Sequence, residues 1–233
     1  MNPSLINQCH SYLAAHAVPG RQESVRGKKI AVTISREAGA GAISVGALLL
    51  EYLQGKGAGN PDSPWAVFDQ ALVKRVLKDH RLPEHFERYM EEDSTAKVND
   101  LVEDVLGLHP PTTTLVRHTN QTILRLALAG NVVLVGRGAN LVTAHLKHVF
   151  HVRLVAPLEM RIRRIEEYYQ LDHAGAVEFV RKADKARARY IRSNFKVDAD
   201  DPLQFHLTIN TGLVPYSETA RIIAEAVLNM HDA

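Results

Sequence analysis

The chain has 233 residues, 45% hydrophobic and 23% charged, with a formal net charge of +2. Enough apolar surface is present to offset chain entropy, which excludes a disordered chain, and the small net charge does not call for a broad nucleic-acid surface. The single cysteine, Cys9, excludes a disulfide framework or a Cys-rich zinc site. No apolar run reaches the ~20 residues that span a bilayer. The opening MNPSLINQCH lacks the basic start and apolar stretch of a secretory signal. The expectation is a cytoplasmic protein with neither membrane nor nucleic acid as partner.

Leu5, Ile6, Tyr12 and Leu13 form a short apolar pattern read as a helix, and Pro19 to Lys29 a polar linker. This extension, residues 1–28, is expected to pack on the main fold or on a second subunit of a homo-oligomer. Ile30 to Ser35 is a short β-branched run, read as a buried strand. A turn with Gly39 and Gly41 follows. Then Val45, Leu48, Leu49, Tyr52 and Leu53 recur at helical spacing. Trp65 to Phe68 is a second strand ending at Asp69. Residues 70–130 read as mainly helical, broken by His109-Pro-Pro111 and stopped at Gly130, the last helix presenting Ile123, Leu126 and Ala127.

Asn131 to Val135 is a third strand running into Gly136-Arg-Gly138, and Val149 to Val155 a fourth. Pro157 suits the first turn of a helix carrying Arg161, Arg163 and Arg164. Asp172 can cap the long helix with Arg181, Asp184 and Arg187. Phe205 to Ile209 is a fifth strand, and Ser217 can cap a final helix whose apolar face includes Ile223 and Val227. His145, His148 and His151 would need one continuous helix to share a metal, and the strand at Val149 interrupts it.

Strands alternating with helices point to a parallel sheet covered on both faces. Ligands in such sheets lie beyond the carboxyl ends of the strands. Four polar sites fall there: residues 36–44, Asp69, residues 136–138, and Asn210-Thr211. A glycine turn between strand and helix presents amide groups and a helix dipole to phosphate. Ser44 can offer a hydroxyl to Mg²⁺, but the lysine of the full phosphate-loop pattern is missing, since its place is taken by Ala42. Ten Lys/Arg against five Asp/Glu between Arg161 and Lys196 suit a small polyanion or a solvated helical face.

Five segments, in order, carry a resemblance: Ser35-Arg-Glu-Ala-Gly-Ala-Gly41, Phe68-Asp69, Val135-Gly-Arg-Gly138, Ala156-Pro-Leu-Glu-Met-Arg161 and Ala183-Asp-Lys-Ala-Arg187-Ala-Arg-Tyr190. Together they resemble the cytidylate kinase-like family, a branch of the P-loop nucleoside monophosphate kinases, from about residue 29 to 229. The resemblance implies a three-layer P-loop α/β domain over residues 29–233 with a five-stranded parallel sheet. A helical acceptor-binding insertion at about 70–120 and an arginine-rich lid at about 160–195 would close over the ligands. The implied reaction is transfer of the ATP γ-phosphoryl group to a nucleoside monophosphate, CMP or dCMP, with Mg²⁺.

Matched residue by residue, Gly39, Ala40, Gly41, Ala42 and Ser44 fall on the phosphate loop, and Arg36 on the branch's Ser-Arg-Glu signature. Asp69 falls on the acidic residue near acceptor and metal, and Arg137 on an arginine that contacts the acceptor. Arg161 and Arg164 open the lid over ATP. Asp184 and Arg187 form its Asp-x-x-Arg pair, for which the alternative is a surface i,i+3 ion pair worth a few tenths of a kcal/mol. Asp69 can instead cap the following helix. Two departures stand out. Gly138 replaces the aspartate of Gly-Arg-Asp, and Ala42-Ile43 replaces the branch's usual Gly-Arg. Arg36, which opens the loop, is the expected substitute for the lysine. The rival readings are a nucleotide-binding sensor or scaffold without turnover, and a P-loop kinase for another small molecule.

Overall fold

Short β-branched runs build the centre of the molecule, because such side chains pack well on a pleated surface covered on both sides. In the computed structural model, which describes residues 11–12, 30–58, 64–69 and 113–230, they form five strands. These are β1 (Ala31–Arg36), β2 (Ala66–Asp69), β3 (Val132–Val135), β4 (Val149–Val155) and β5 (Leu207–Asn210). The sheet order is β2-β3-β1-β4-β5, and every neighbouring pair is parallel. Ile34 lies opposite Val135, while Arg36 lies opposite Leu154. The central strand therefore overshoots β3 by two residues and carries Ser35 and Arg36 to the carboxyl edge.

Six helices are described: α1 (Ala42–Gly55), α2 (Thr113–Ala129), α3 (Ala139–Val142), α4 (Leu158–Tyr169), α5 (His173–Phe195) and α6 (Tyr216–Leu228). Val45, Leu49, Leu50 and Leu53 of α1 meet Ile223, Ala224 and Val227 of α6 in the main core. Each fully buried leucine there contributes roughly 1.5–3 kcal/mol over exposure. Ile162 and Ile165 of α4 pack with Ala176, Val180 and Ala183 of α5 in a second, smaller core. Ala38 of the glycine loop belongs to that smaller core, so the loop is built into the α4–α5 pair. No helix among the described residues is long and apolar enough to cross a membrane.

The α/β class, the five strands and their alternation with helices agree with the sequence reading. Asp172 caps α5 as expected, accepting from the Gly175 amide at 2.8 Å. Two caps differ. Pro157 is the N-cap of α4 rather than its first helical residue. Ser217 does not cap α6: the cap is Pro215, whose φ of −56° and ψ of 152° turn the chain into the helix two residues earlier. Ser217 thus lies inside the first turn.

The N-terminal extension meets the fold at Tyr12. Its ring is buried and sits edge-on to Phe68 at 5.5 Å, and its hydroxyl donates to the Gly130 carbonyl at 2.7 Å. Burial pushes the phenol well above its ordinary range. Of the two packing expectations for this segment, Tyr12 meets the one on its own fold. Cys9, the linker and residues 70–112 of the expected insertion lie outside the described residues.

Candidate active site

The glycine loop, Glu37–Gly41, joins β1 to α1, and three side chains hold its carbonyls from one side. Arg161 donates to the Ala38 oxygen at 3.1 Å, Arg164 to the Gly39 oxygen at 3.3 Å, and the Thr211 hydroxyl to the Ala40 oxygen at 3.0 Å. In a trans peptide each N–H points opposite the preceding carbonyl. Fixing these three carbonyls turns the amides of Gly39, Ala40 and Gly41 the other way. Ala40 bonds back to the Glu37 oxygen at 3.2 Å. The Gly39 and Gly41 amides find no acceptor among the described residues, an arrangement that can take up an anion. Gly41 is the N-cap of α1 in the left-handed region, φ 81°, under the ring of Tyr216, where any Cβ would collide.

Arg161 and Arg164, expected in the lid over ATP, bond here to the loop itself. Arg161 is buried at 8% exposure, and its Nε donates to the Ala156 oxygen at 3.0 Å. Arg164 also donates to the Thr211 hydroxyl and carbonyl, at 3.1 and 2.8 Å, and stacks over Tyr216 at 4.8 Å. Both guanidinium groups are committed to the protein and brace the loop. Neither spacing nor charge could announce this, because the partners are backbone oxygens distant in sequence.

Asp184, on α5, accepts from the Ala38 amide at 2.8 Å, from Arg161 at 2.6 Å and from Arg187 at 2.7 Å. It is more than a surface ion pair, since one carboxylate joins loop, α4 and α5. The Arg36 guanidinium packs against Gly136, at the end of β3. Burial, and then the neighbouring Arg187, push Arg36 down to about 9, while Asp69 opposes the shift. Arg137 is lowered by burial and by Arg187 as well, and Arg187 chiefly by burial. Arg36, Arg137 and Arg187 are thus mutually repelling cations withdrawn from water. Arg137 has φ 56°, a left-handed conformation unusual for a long side chain, and lies over the Tyr190 ring at 5.4 Å. Such strain persists where surroundings enforce it, often at functional sites.

A cavity of about 200 Å³ opens at this edge between the ends of β1 and β3, helix α3 and helix α5. Arg36, Arg137, Arg187 and Arg189 line it, and no carboxylate does among the described residues. Asp69 ends β2 half-buried, with Arg36 and Tyr169 close enough to feel its charge. Ser44 is exposed in the first turn of α1, beside Ile43. A Cβ on Gly138, φ +68°, would lie 2.7 Å from the Phe195 ring. An aspartate there would meet that ring at a strained backbone position.

A family model described as the cytidylate kinase-like family matches residues 31–213. The chain belongs to the cytidylate kinase-like family. Membership makes it a P-loop protein of the kinase type, and nucleotide use comes with the family. A solved structure of an uncharacterised protein from Eubacterium ventriosum shares the fold, with a TM-score of 0.63 and 17% identity over 86% of this chain and 98% of that one. The shikimate kinase of Acinetobacter baumannii, solved with shikimate, gives a TM-score of 0.48 and 18% identity over 86% and 94% of the two chains. Among curated proteins, the uronate isomerase of Corynebacterium glutamicum is 26% identical over 111 residues. The match takes in 48% of this family member and about a fifth (21%) of that protein's length.

The structure thus brings Arg36, Asp69, Arg137, Asp184 and Arg187 to one edge of the sheet, beside the loop of Gly39, Ala40, Gly41, Ala42 and Ser44. The histidines do not join them. His148 contacts the Ala127 oxygen at 3.1 Å, and His151 is buried on β4 against the Thr33 hydroxyl at 2.9 Å. Sequence reading missed Arg153, a buried β4 arginine that reaches Ser35 at 3.3 Å and the Ala199 oxygen at 3.0 Å and pairs with Asp200. It ties the chain beyond α5 to the end of β1. A charged side chain inside a strand that is apolar apart from His151 is the one signal that pointed to it.

Proposed function

We propose that this protein transfers the γ-phosphoryl group of ATP to a nucleoside monophosphate, CMP or dCMP, with Mg²⁺, in the cytoplasm. The carrying observation is the cavity walled by Arg36, Arg137, Arg187 and Arg189, lined by no carboxylate among the described residues, together with the glycine loop whose carbonyls Arg161, Arg164 and Thr211 hold. Phosphoryl transfer needs in-line positioning and positive charge on the moving oxygens, and little covalent chemistry from the protein. Arginine suits the task because its planar fork bonds two phosphate oxygens at once.

In this reading the Gly39 and Gly41 amides receive the phosphates of ATP, and Arg137 and Arg187 the phosphate of the acceptor. Arg36 supplies the charge that Ala42 does not. A cation ~4 Å from a phosphate charge is worth about 4 kcal/mol at an effective dielectric of 20, so a working enzyme needs that substitute. Ser44 and Asp69 offer a hydroxyl and a carboxylate, the hard oxygen donors that suit Mg²⁺. When bound, the ion would neutralise phosphate charge. Asp184 keeps Arg187 in place.

Ala42 and the exposed Ile43 favour a second reading, a nucleotide-binding module without turnover. Coupled measurement of ADP release with CMP, dCMP, UMP and AMP separates the two. ADP formed with CMP or dCMP supports the kinase. ATP binding without ADP for any acceptor supports the module, and ADP formed only with a non-nucleotide acceptor supports a kinase of another small molecule.

A further inference from the structure

The far end of the cavity is neutral and polar. Asn140 on α3 and Gln204, in the short 3₁₀ turn Pro202–Gln204, both line it. Gln204 donates its amide nitrogen to the Asp198 carbonyl at 2.6 Å. Only the nitrogen of a carboxamide can donate, so this bond fixes the direction of the Gln204 amide. Its oxygen then accepts from Asn140 Nδ2 at 3.4 Å. The polarity passes along the pair: Asn140, only 6% exposed, has its nitrogen directed to Gln204 and its oxygen left as an acceptor. No donor among the described residues serves that oxygen.

Two residues earlier the chain offers nothing for recognition. Gly138 has no side chain, and one built there would meet Phe195 at 2.7 Å and Ile191 at 3.2 Å. Three neutral amides line the cavity, Asn140, Asn194 and Gln204. Asn194 and Gln204 each donate to a backbone carbonyl, of Tyr190 at 2.8 Å and Asp198 at 2.6 Å, and of the three only Asn140 is directed by another side chain.

We infer that Asn140, oriented by Gln204, reads the neutral head of the acceptor and selects a head that donates an N–H or O–H. Among pyrimidine monophosphates this favours the amino group of CMP over the carbonyl of UMP. A carbonyl facing Asn140 Oδ1 would set two acceptors against each other and leave both unpaired. Asn140 contacts the head, and Gln204 is a positioning residue. The inference rests on the acceptor-site reading above and adds to it which side chain selects the base.

Calorimetric titration of the full chain with CMP, UMP and ribose 5-phosphate, which has no base, tests it without turnover. The expected result is a preference for CMP over UMP of roughly tenfold. Asn140→Leu should bring the ratio close to one. Gln204→Leu, at a half-buried turn, should do the same by freeing the Asn140 amide to rotate, with ribose 5-phosphate bound as tightly as before. A native ratio at or below one, or a ratio unchanged in both variants, overturns the inference and leaves the kinase reading standing. A native chain that binds none of the three compounds overturns both.

Discussion

Asp184 accepts the Ala38 amide hydrogen at 2.8 Å, so the middle of α5 is bonded directly to the backbone of the glycine loop. The same carboxylate holds Arg161 at 2.6 Å and Arg187 at 2.7 Å. Asp184→Ala frees one backbone donor and takes a carboxylate partner from two guanidinium groups, one of them buried. It should cost about 2 kcal/mol in urea unfolding. A loss below about 0.5 kcal/mol, the range of ordinary surface changes, would show that the loop does not depend on this bond.

Gly138 stands where the family resemblance calls for aspartate. Gly138→Asp restores the motif on paper, yet its Cβ must lie 2.7 Å from Phe195 at a φ of +68°. Strain and collision together should cost about 2 kcal/mol, lowering the melting temperature by roughly 4–8 °C in a chain of this size. An unchanged melting temperature would mean that the ring of Phe195 moves aside freely.

Tyr12 separates two contributions of the N-terminal segment. Tyr12→Phe keeps the edge contact with Phe68 but leaves the Gly130 oxygen without its hydroxyl donor, at about 1–2 kcal/mol. Tyr12→Ala also removes the buried ring, at about 3–5 kcal/mol. Denaturant unfolding of the two variants should show that ordering. Two native-like curves would indicate that the segment contributes nothing to the fold.

Much of this was legible from residue order alone. β-Branched runs such as Val149–Val155 marked the strands because both faces are covered, and their alternation with helical spacing marked a parallel sheet. Arg36, Asp69, Arg137 and Asp184 were found because they stand at strand ends or in motifs. The bracing role of Arg161 and Arg164 was not legible: their partners are carbonyls at Ala38, Gly39 and Ala156, and a backbone oxygen carries no signature in a sequence. The hydroxyl partner of Tyr12 was not legible for a similar reason, since Gly130 is 118 residues away. The cap of α6 was misread because Pro215 and Ser217 both suit a helix start, and only backbone angles decide between them.

His151 should make the protein acid-sensitive. Burial first, then the neighbouring His206, lower it to about 4, while in the unfolded chain it titrates near 6.5. Above about pH 6.5 both states are neutral and stability does not change through this group. As pH falls from 6.5 towards 4 only the unfolded chain takes the proton, so stability drops by up to about 3 kcal/mol. His151→Gln should flatten that part of the pH–stability curve. Parallel curves for the two proteins would exclude His151 as the cause.

The cationic edge of the sheet is read as a site for transferring phosphate, and ³¹P NMR of ATP, CMP and Mg²⁺ with the native chain tests this directly. ADP and CDP should grow together in equal amounts, and Arg36→Ala should slow both by roughly a thousandfold. ATP and CMP left unchanged by the native protein, ADP formed without CDP, or full activity in Arg36→Ala would contradict it.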